Sequence, residues 1–72
     1  MRLIAGVDIG NSTTEVAIAD VEKSLNFLAS SLVKTTGIKG TLENTVGIVK
    51  ALNKALKNIN KDIKDLNCIC LN

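Results

Sequence analysis

Apolar positions along the chain fall into separate runs, and the spacing changes from one run to the next. Leu3 to Ile9 is almost continuously apolar, short enough for a strand, and reads as a central strand, apolar on both faces. From Thr14 to Ala19, Val16 and Ile18 alternate with Glu15 and Ala17, the period of a half-buried strand. Asp20 to Lys23 makes a polar turn, and Leu25 to Lys34 follows as a β-capable segment with the weakest alternation. Thr35 to Gly40 carries two glycines and reads as a loop. Thr41 then offers an N-cap, with Glu43 in the first turn. Leu42, Val46, Val49, Leu52, Leu56 and Ile59 recur at steps of three and four, which predicts an amphipathic helix. Gly47 inside it costs up to ~1 kcal/mol relative to alanine and suggests close packing on the sheet. Asn58 to Asp65 is the helix end and a tight turn, with room for one short extra turn, and Leu66 to Leu71 is the fourth strand. The expected fold class is α/β in the order β-β-β-α-β, a single unit over residues 1–72.

Chemistry concentrates between the first two runs. Ile4-Ala5-Gly6-Val7-Asp8-Ile9 delivers one acid to a strand tip, and Gly10-Asn11-Ser12-Thr13-Thr14 follows at once. A carboxylate there needs a partner to remain charged if it is buried. Gly10 permits φ > 0 or a close approach of backbone, and Asn11 tolerates the left-handed region of a hairpin turn. Successive backbone N–H groups in such a bend can form an anion-binding concavity, with the Ser12, Thr13 and Thr14 hydroxyls beside it. The same residues also make an ordinary polar hairpin. Walker-type and dinucleotide loops need other spacings and lead into a helix, whereas this turn leads into a strand.

Asp8-x-Gly10-x-x-x-Thr14 in a hairpin resembles the first phosphate loop of the actin, heat-shock chaperone and sugar-kinase ATPase superfamily. Residues 1–17 together are very similar to the start of the large subunit of diol and glycerol dehydratase-reactivating factors. Thr35-Thr36-Gly37-Ile38-Lys39-Gly40-Thr41 resembles the same family in the same order, and Asp62-Ile63 and Leu71-Asn72 do so more weakly. The resemblance implies a partial actin-like (RNase H-like) ATPase subdomain with a mixed sheet, strand order three-two-one-four. It implies a chain that is the N-terminal piece of a longer chaperone, which uses ATP to release damaged cobalamin from a cobalamin-dependent dehydratase. The implied cofactors are ATP or ADP and magnesium in the intact protein. The implied partners are the dehydratase and a small reactivase subunit, and the implied location is cytoplasmic. Carried over by residue, Gly10 would let the backbone approach, Asn11, Ser12 and Thr13 would bind phosphates, and Asp8 would hold the metal through water. A small-molecule kinase of the same superfamily and a non-catalytic interaction module are the alternatives. The Thr35 to Thr41 block favours the chaperone.

Composition bounds the rest. The 72 residues are 46% hydrophobic with Phe27 as the only aromatic, so any core is small and aliphatic. Net charge of +2 and the lack of aromatic platforms argue against a nucleic-acid partner. Lys50, Lys54, Lys57 and Lys61 share a helical spacing and read as a solvated face. No apolar run approaches the ~18 residues of a membrane span, and the first residues enter a strand pattern directly. Cys68 and Cys70 fall on one face of the fourth strand and are expected as buried, reduced thiols.

Strand direction brings the turn from Asp8 to Thr14, the loop from Thr35 to Thr41, the helix start and Asn72 to one rim. There, Lys39 and the hydroxyls of Thr35, Thr36 and Thr41 either contact a nucleotide or simply cap and shape the loop. The chain contains no second Asp-x-Gly-x-x-x-Thr and no Gly-Gly pair, so it is expected neither to hydrolyse ATP nor to bind it tightly. One helix cannot cover both faces of a sheet, so an open face and a bare fourth strand predict self-association.

Overall fold

A computed structural model describes residues 1–72. Strands β1 (Leu3–Ile9), β2 (Thr13–Asp20) and β3 (Asn26–Lys34) come first, followed by one helix, α1 (Leu42–Lys57). After a single 3₁₀ turn at Ile63–Asp65, the last strand is β4 (Leu66–Leu71). The four strands form one sheet in the order β3-β2-β1-β4. β2 is antiparallel to both β1 and β3, whereas β4 is parallel to β1. A parallel return needs a crossover, and α1 supplies it. The expected element order, mixed sheet and strand order are all present.

Alternation along the strands decides which face is covered. Leu3, Ala5 and Val7 of β1 and Val16 and Ile18 of β2 meet Ala51, Leu52, Ala55 and Leu56 of α1 in one aliphatic core. A core of this size contributes no more than ~3–5 kcal/mol. The opposite face carries no element. β1, apolar on both faces, is therefore covered on one side only, as a single helix requires: Ile4 is half-buried, and Gly6 and Asp8 are exposed.

The helix is also turned from the orientation its hydropathy predicted. Asn44, Gly47, Ala51, Leu52, Ala55 and Leu56 are buried, whereas Leu42 and Val46 are 80% and 58% exposed. Small side chains face the sheet because they let the helix axis come close. Ser31 Oγ donates to the Ala51 carbonyl at 2.8 Å and fixes that approach. Gly47 serves a different contact from the one expected, since a Cβ there would collide with Thr36 Oγ1 of the preceding loop.

Both helix ends follow from their residues. Thr41 is extended and its Oγ1 accepts from the Asn44 N–H at 3.3 Å. Lys54 and Lys57 lie in the last turn, where cations oppose the dipole. Past the end, Asn60 adopts φ 55°, a left-handed conformation that asparagine tolerates, and Lys61 N–H donates back to Leu56 O at 3.0 Å.

Candidate functional site

β1 and β2 remain paired to Ile9 and Thr14, and Gly10, Asn11 and Ser12 make the bend between them. Gly10 N–H donates to Thr13 O at 2.9 Å. Neither Gly10 nor Asn11 has positive φ, so of the two roles open to Gly10 the left-handed one is not used. Close approach accounts for the glycine instead. A Cβ at Gly10 would lie 2.9 Å from Thr13 O, a backbone atom that cannot yield without opening the ladder.

The bend separates its acceptors from its donors. Ser12 O accepts from Thr35 N–H at 3.0 Å, and Gly10 O accepts from Thr35 Oγ1 at 2.7 Å. The N–H groups of Asn11 and Ser12 have no partner in the chain. Gly10, Asn11, Ser12 and Thr13 are all exposed. A bend with the Gly10 and Ser12 carbonyls occupied and free donors suits an anion.

Asp8 lies two residues before the bend, exposed on the uncovered face and opposite Glu15 across the ladder. It was expected at a buried strand tip, but no element covers that face. Asn72 Nδ2 donates to Asp8 Oδ1 at 3.3 Å, and Asn72 N–H donates to Val7 O at 2.9 Å. A cleft of about 340 Å³ opens beside these groups, lined by Gly6, Asp8, Glu15, Ala17, Cys70 and Asn72 among others. No cation of the chain pairs with either carboxylate, the one ion pair being the Met1 ammonium with Glu22 at 2.7 Å. That pair raises the ammonium pKa through the Glu22 hydrogen bond and charge.

Asp20 offers a contrast at the far end of β2. Its carboxylate accepts the N–H groups of Glu22 and Arg2, both at 3.1 Å, which hold it below the usual carboxylate range. Asp20 is thus occupied by its own chain, whereas Asp8 and Glu15 keep most of their acceptor capacity. Magnesium is held through one or two carboxylates plus phosphate and water, so the pair fits that ion in a nucleotide complex. No group of three or more His, Cys, Asp or Glu is close enough to hold a metal unaided.

The expected convergence on one rim is present, and the hydroxyls of Thr14, Thr35, Thr36 and Thr41 there are engaged internally. Thr14 is buried, with its Oγ1 2.9 Å from Thr35 Oγ1. Thr36 Oγ1 donates to Glu43 O at 2.8 Å, and Thr41 Oγ1 donates to Ile38 O at 2.6 Å. Gly37 and Gly40, at φ 65° and 91°, shape the loop. Lys39 is exposed. The capping and shaping reading therefore accounts for Thr36 and Thr41.

Cys68 and Cys70 are reduced and exposed, not buried as predicted, because β4 is an edge strand on the uncovered face. Their sulfurs are 3.8 Å apart, and the hydrogen bond and charge of Cys68 push the Cys70 thiol pKa up. Sequence reasoning missed Glu15 and the clamp by Thr35. Glu15 was legible, since hairpin pairing of Ile9 with Thr14 puts Asp8 opposite it. The clamp was not, because it joins residues from separate strands.

No family model matches the chain. Curated relatives do. The propanediol dehydratase-reactivating factor large subunit of Citrobacter freundii is 51% identical over the whole chain, and that of Salmonella typhimurium is 49% identical. The diol dehydratase-reactivating factor large subunit of Klebsiella michiganensis is 46% identical. The chain spans about 12% of the length of these relatives. Among solved structures, a nucleotide-free diol dehydratase-reactivating factor superposes with a TM-score of 0.90 over 100% of this chain and 12% of that one, at 46% identity. A glycerol dehydratase reactivase gives 0.85 over 97% of this chain and 12% of that one, at 49% identity. The Aquifex aeolicus Ppx/GppA phosphatase gives 0.59 over 99% and 26%, at 16% identity, and shares the fold alone. The fold is a partial actin-like subdomain, a mixed four-stranded sheet with one helix.

Proposed function

Because the chain is related along its whole length to the large subunits of diol and glycerol dehydratase-reactivating factors, we propose that it supplies the phosphate-binding hairpin of an ATP-dependent chaperone. That chaperone reactivates a cobalamin-dependent dehydratase by releasing damaged cobalamin, together with a small reactivase subunit. One observation supports the assignment most: the free N–H groups of Asn11 and Ser12 are in the bend joining the two strands that carry an exposed carboxylate pair with no cation.

In this reading Asn11, Ser12 and Thr13 hold the outer phosphates through backbone amides and hydroxyls. Gly10 keeps the backbone accessible, and Asp8, with Glu15 opposite, receives magnesium. When bound, the nucleotide would supply the free energy of the cycle through phosphoryl transfer to water, with magnesium neutralising the phosphate charge. The residues of this chain position and neutralise; none forms a covalent bond. An adenosine pocket and a second acidic loop would have to come from elsewhere, so the chain alone neither hydrolyses ATP nor binds it tightly.

The test uses a longer protein carrying this segment, mixed with inactivated dehydratase, free cobalamin, ATP and magnesium. Recovery of dehydratase activity is expected, and Asp8→Asn is expected to slow it by about 10²-fold or more, the scale of losing a charge-positioning group. ATP-dependent phosphorylation of a sugar or small acid, with no recovery of dehydratase, would overturn the proposal in favour of a kinase.

A further inference from the structure

We infer that Thr35 is a positioning residue that aims the backbone amides of the hairpin at phosphate oxygens; this rests on the phosphate reading of that hairpin. Thr35 lies just beyond β3, half-buried, and makes two contacts with the bend and one with Thr14 of β2. Its N–H donates to Ser12 O at 3.0 Å, its Oγ1 donates to Gly10 O at 2.7 Å, and its Oγ1 lies 2.9 Å from Thr14 Oγ1. A hydroxyl has one proton. Since that of Thr35 goes to Gly10 O, Thr14 is the donor in the Thr14–Thr35 pair.

Peptide planarity converts these contacts into direction. The carbonyl of one residue and the N–H of the next share a trans plane and point opposite ways. Holding Gly10 O therefore fixes where the Asn11 N–H points, and holding Ser12 O fixes the Thr13 N–H. Thr35 is itself anchored to the helix start. Asn44, buried in the first turn of α1, donates from Nδ2 to Thr36 O at 3.1 Å, while Thr36 Oγ1 bonds to Glu43 O. The bend is thus braced from α1 through Thr36 and Thr35. Such bracing removes reorganisation that an anion would otherwise impose on binding.

The experiment titrates the ¹⁵N-labelled 72-residue chain with magnesium tripolyphosphate and follows the amides of Asn11, Ser12 and Thr13. Thr35→Val removes the hydroxyl at similar size and is expected to weaken binding about tenfold, the loss of roughly one hydrogen bond. Thr35→Ser keeps the hydroxyl and is expected to bind like the parent. Unchanged amides of Ile18 and Leu56 show that the core remains folded, and Thr35→Ala is the second variant should the valine chain unfold. No response of the parent's hairpin amides would overturn the phosphate reading itself. A responding parent with an equally responding Val or Ala variant would overturn the role of Thr35 alone. So would a serine variant as weak as the valine one, since the hydroxyl would then not be the group that matters.

Discussion

Asp8 and Glu15 are directly paired across the β1–β2 ladder, two carboxylates on the uncovered face with no cation of the chain beside them. Like charges facing each other across an antiparallel pair are destabilising by roughly 0.2–1 kcal/mol. Glu15→Gln is therefore expected to raise the unfolding midpoint in metal-free buffer. Added magnesium and tripolyphosphate should stabilise the parent more than this variant. Thermal unfolding in the two buffers checks both, and a lower midpoint for the variant without metal would show that the pair is not repulsive.

Gly47 faces Thr36, and its missing Cβ is what lets the loop lie on α1. Gly47→Ala gains up to ~1 kcal/mol of helix propensity. The collision with Thr36 Oγ1 outweighs that gain, at about 1–3 kcal/mol for overpacking. The single variant is expected to be less stable. With Thr36→Ala added, the collision with Oγ1 disappears, leaving only a tight 3.2 Å approach to the Thr36 Cβ, and the interaction term in a double-mutant cycle becomes favourable. Additive effects would mean that the loop simply moves aside.

The exposed thiol pair carries a pH-dependent signature. Cys68 pushes the Cys70 pKa up, chiefly by hydrogen bonding. Only the thiolate is a nucleophile, so Cys70 should alkylate more slowly than the same residue in an unfolded peptide. The gap closes as pH rises past the elevated pKa. Cys68→Ala removes the cause and should speed alkylation at mildly alkaline pH, as peptide mapping by mass spectrometry would show. An unchanged rate would mean that the two sulfurs do not interact in solution.

β4 presents an unpaired edge, and Phe27 and Leu32, 69% and 59% exposed, add apolar area. The isolated chain is expected to self-associate by pairing of this edge or packing of the open face. Sedimentation across a concentration series checks it, and a single monomeric species at high concentration would contradict it.

Much of this architecture was legible in the chain because local chemistry and pattern agreed. The apolar stretch at Leu3–Ile9, the alternation of Val16 and Ile18, and the Thr41 cap place their elements almost as observed. β2 extends one residue further at each end than the period suggested, to Thr13 and Asp20. The order β3-β2-β1-β4 came from family resemblance, since spacing does not fix which strand a crossover joins. Hydropathy misjudged α1 because it rewards large residues, whereas Ala51 and Ala55 face the sheet and Gly47 faces the Thr36 loop by virtue of being small. The burial of Cys68 and Cys70 failed for a different reason: an apolar strand is buried only if something lies over it. Asp8 and the bend from Gly10 to Thr13 were recognisable by sequence. Their bracing by Thr35 was not, because hydrogen bonds between distant segments leave no local pattern.

Paramagnetic broadening by manganese and ATP is the most direct test of the hairpin as a phosphate and metal site. Manganese takes the place of magnesium and broadens the amides nearest to it. Broadening centred on Asp8, Asn11 and Ser12, and weak at Asp20 and Glu22, is the predicted result. Broadening centred on the Asp20–Glu22 turn or the first turn of α1, with the hairpin untouched, would contradict the account.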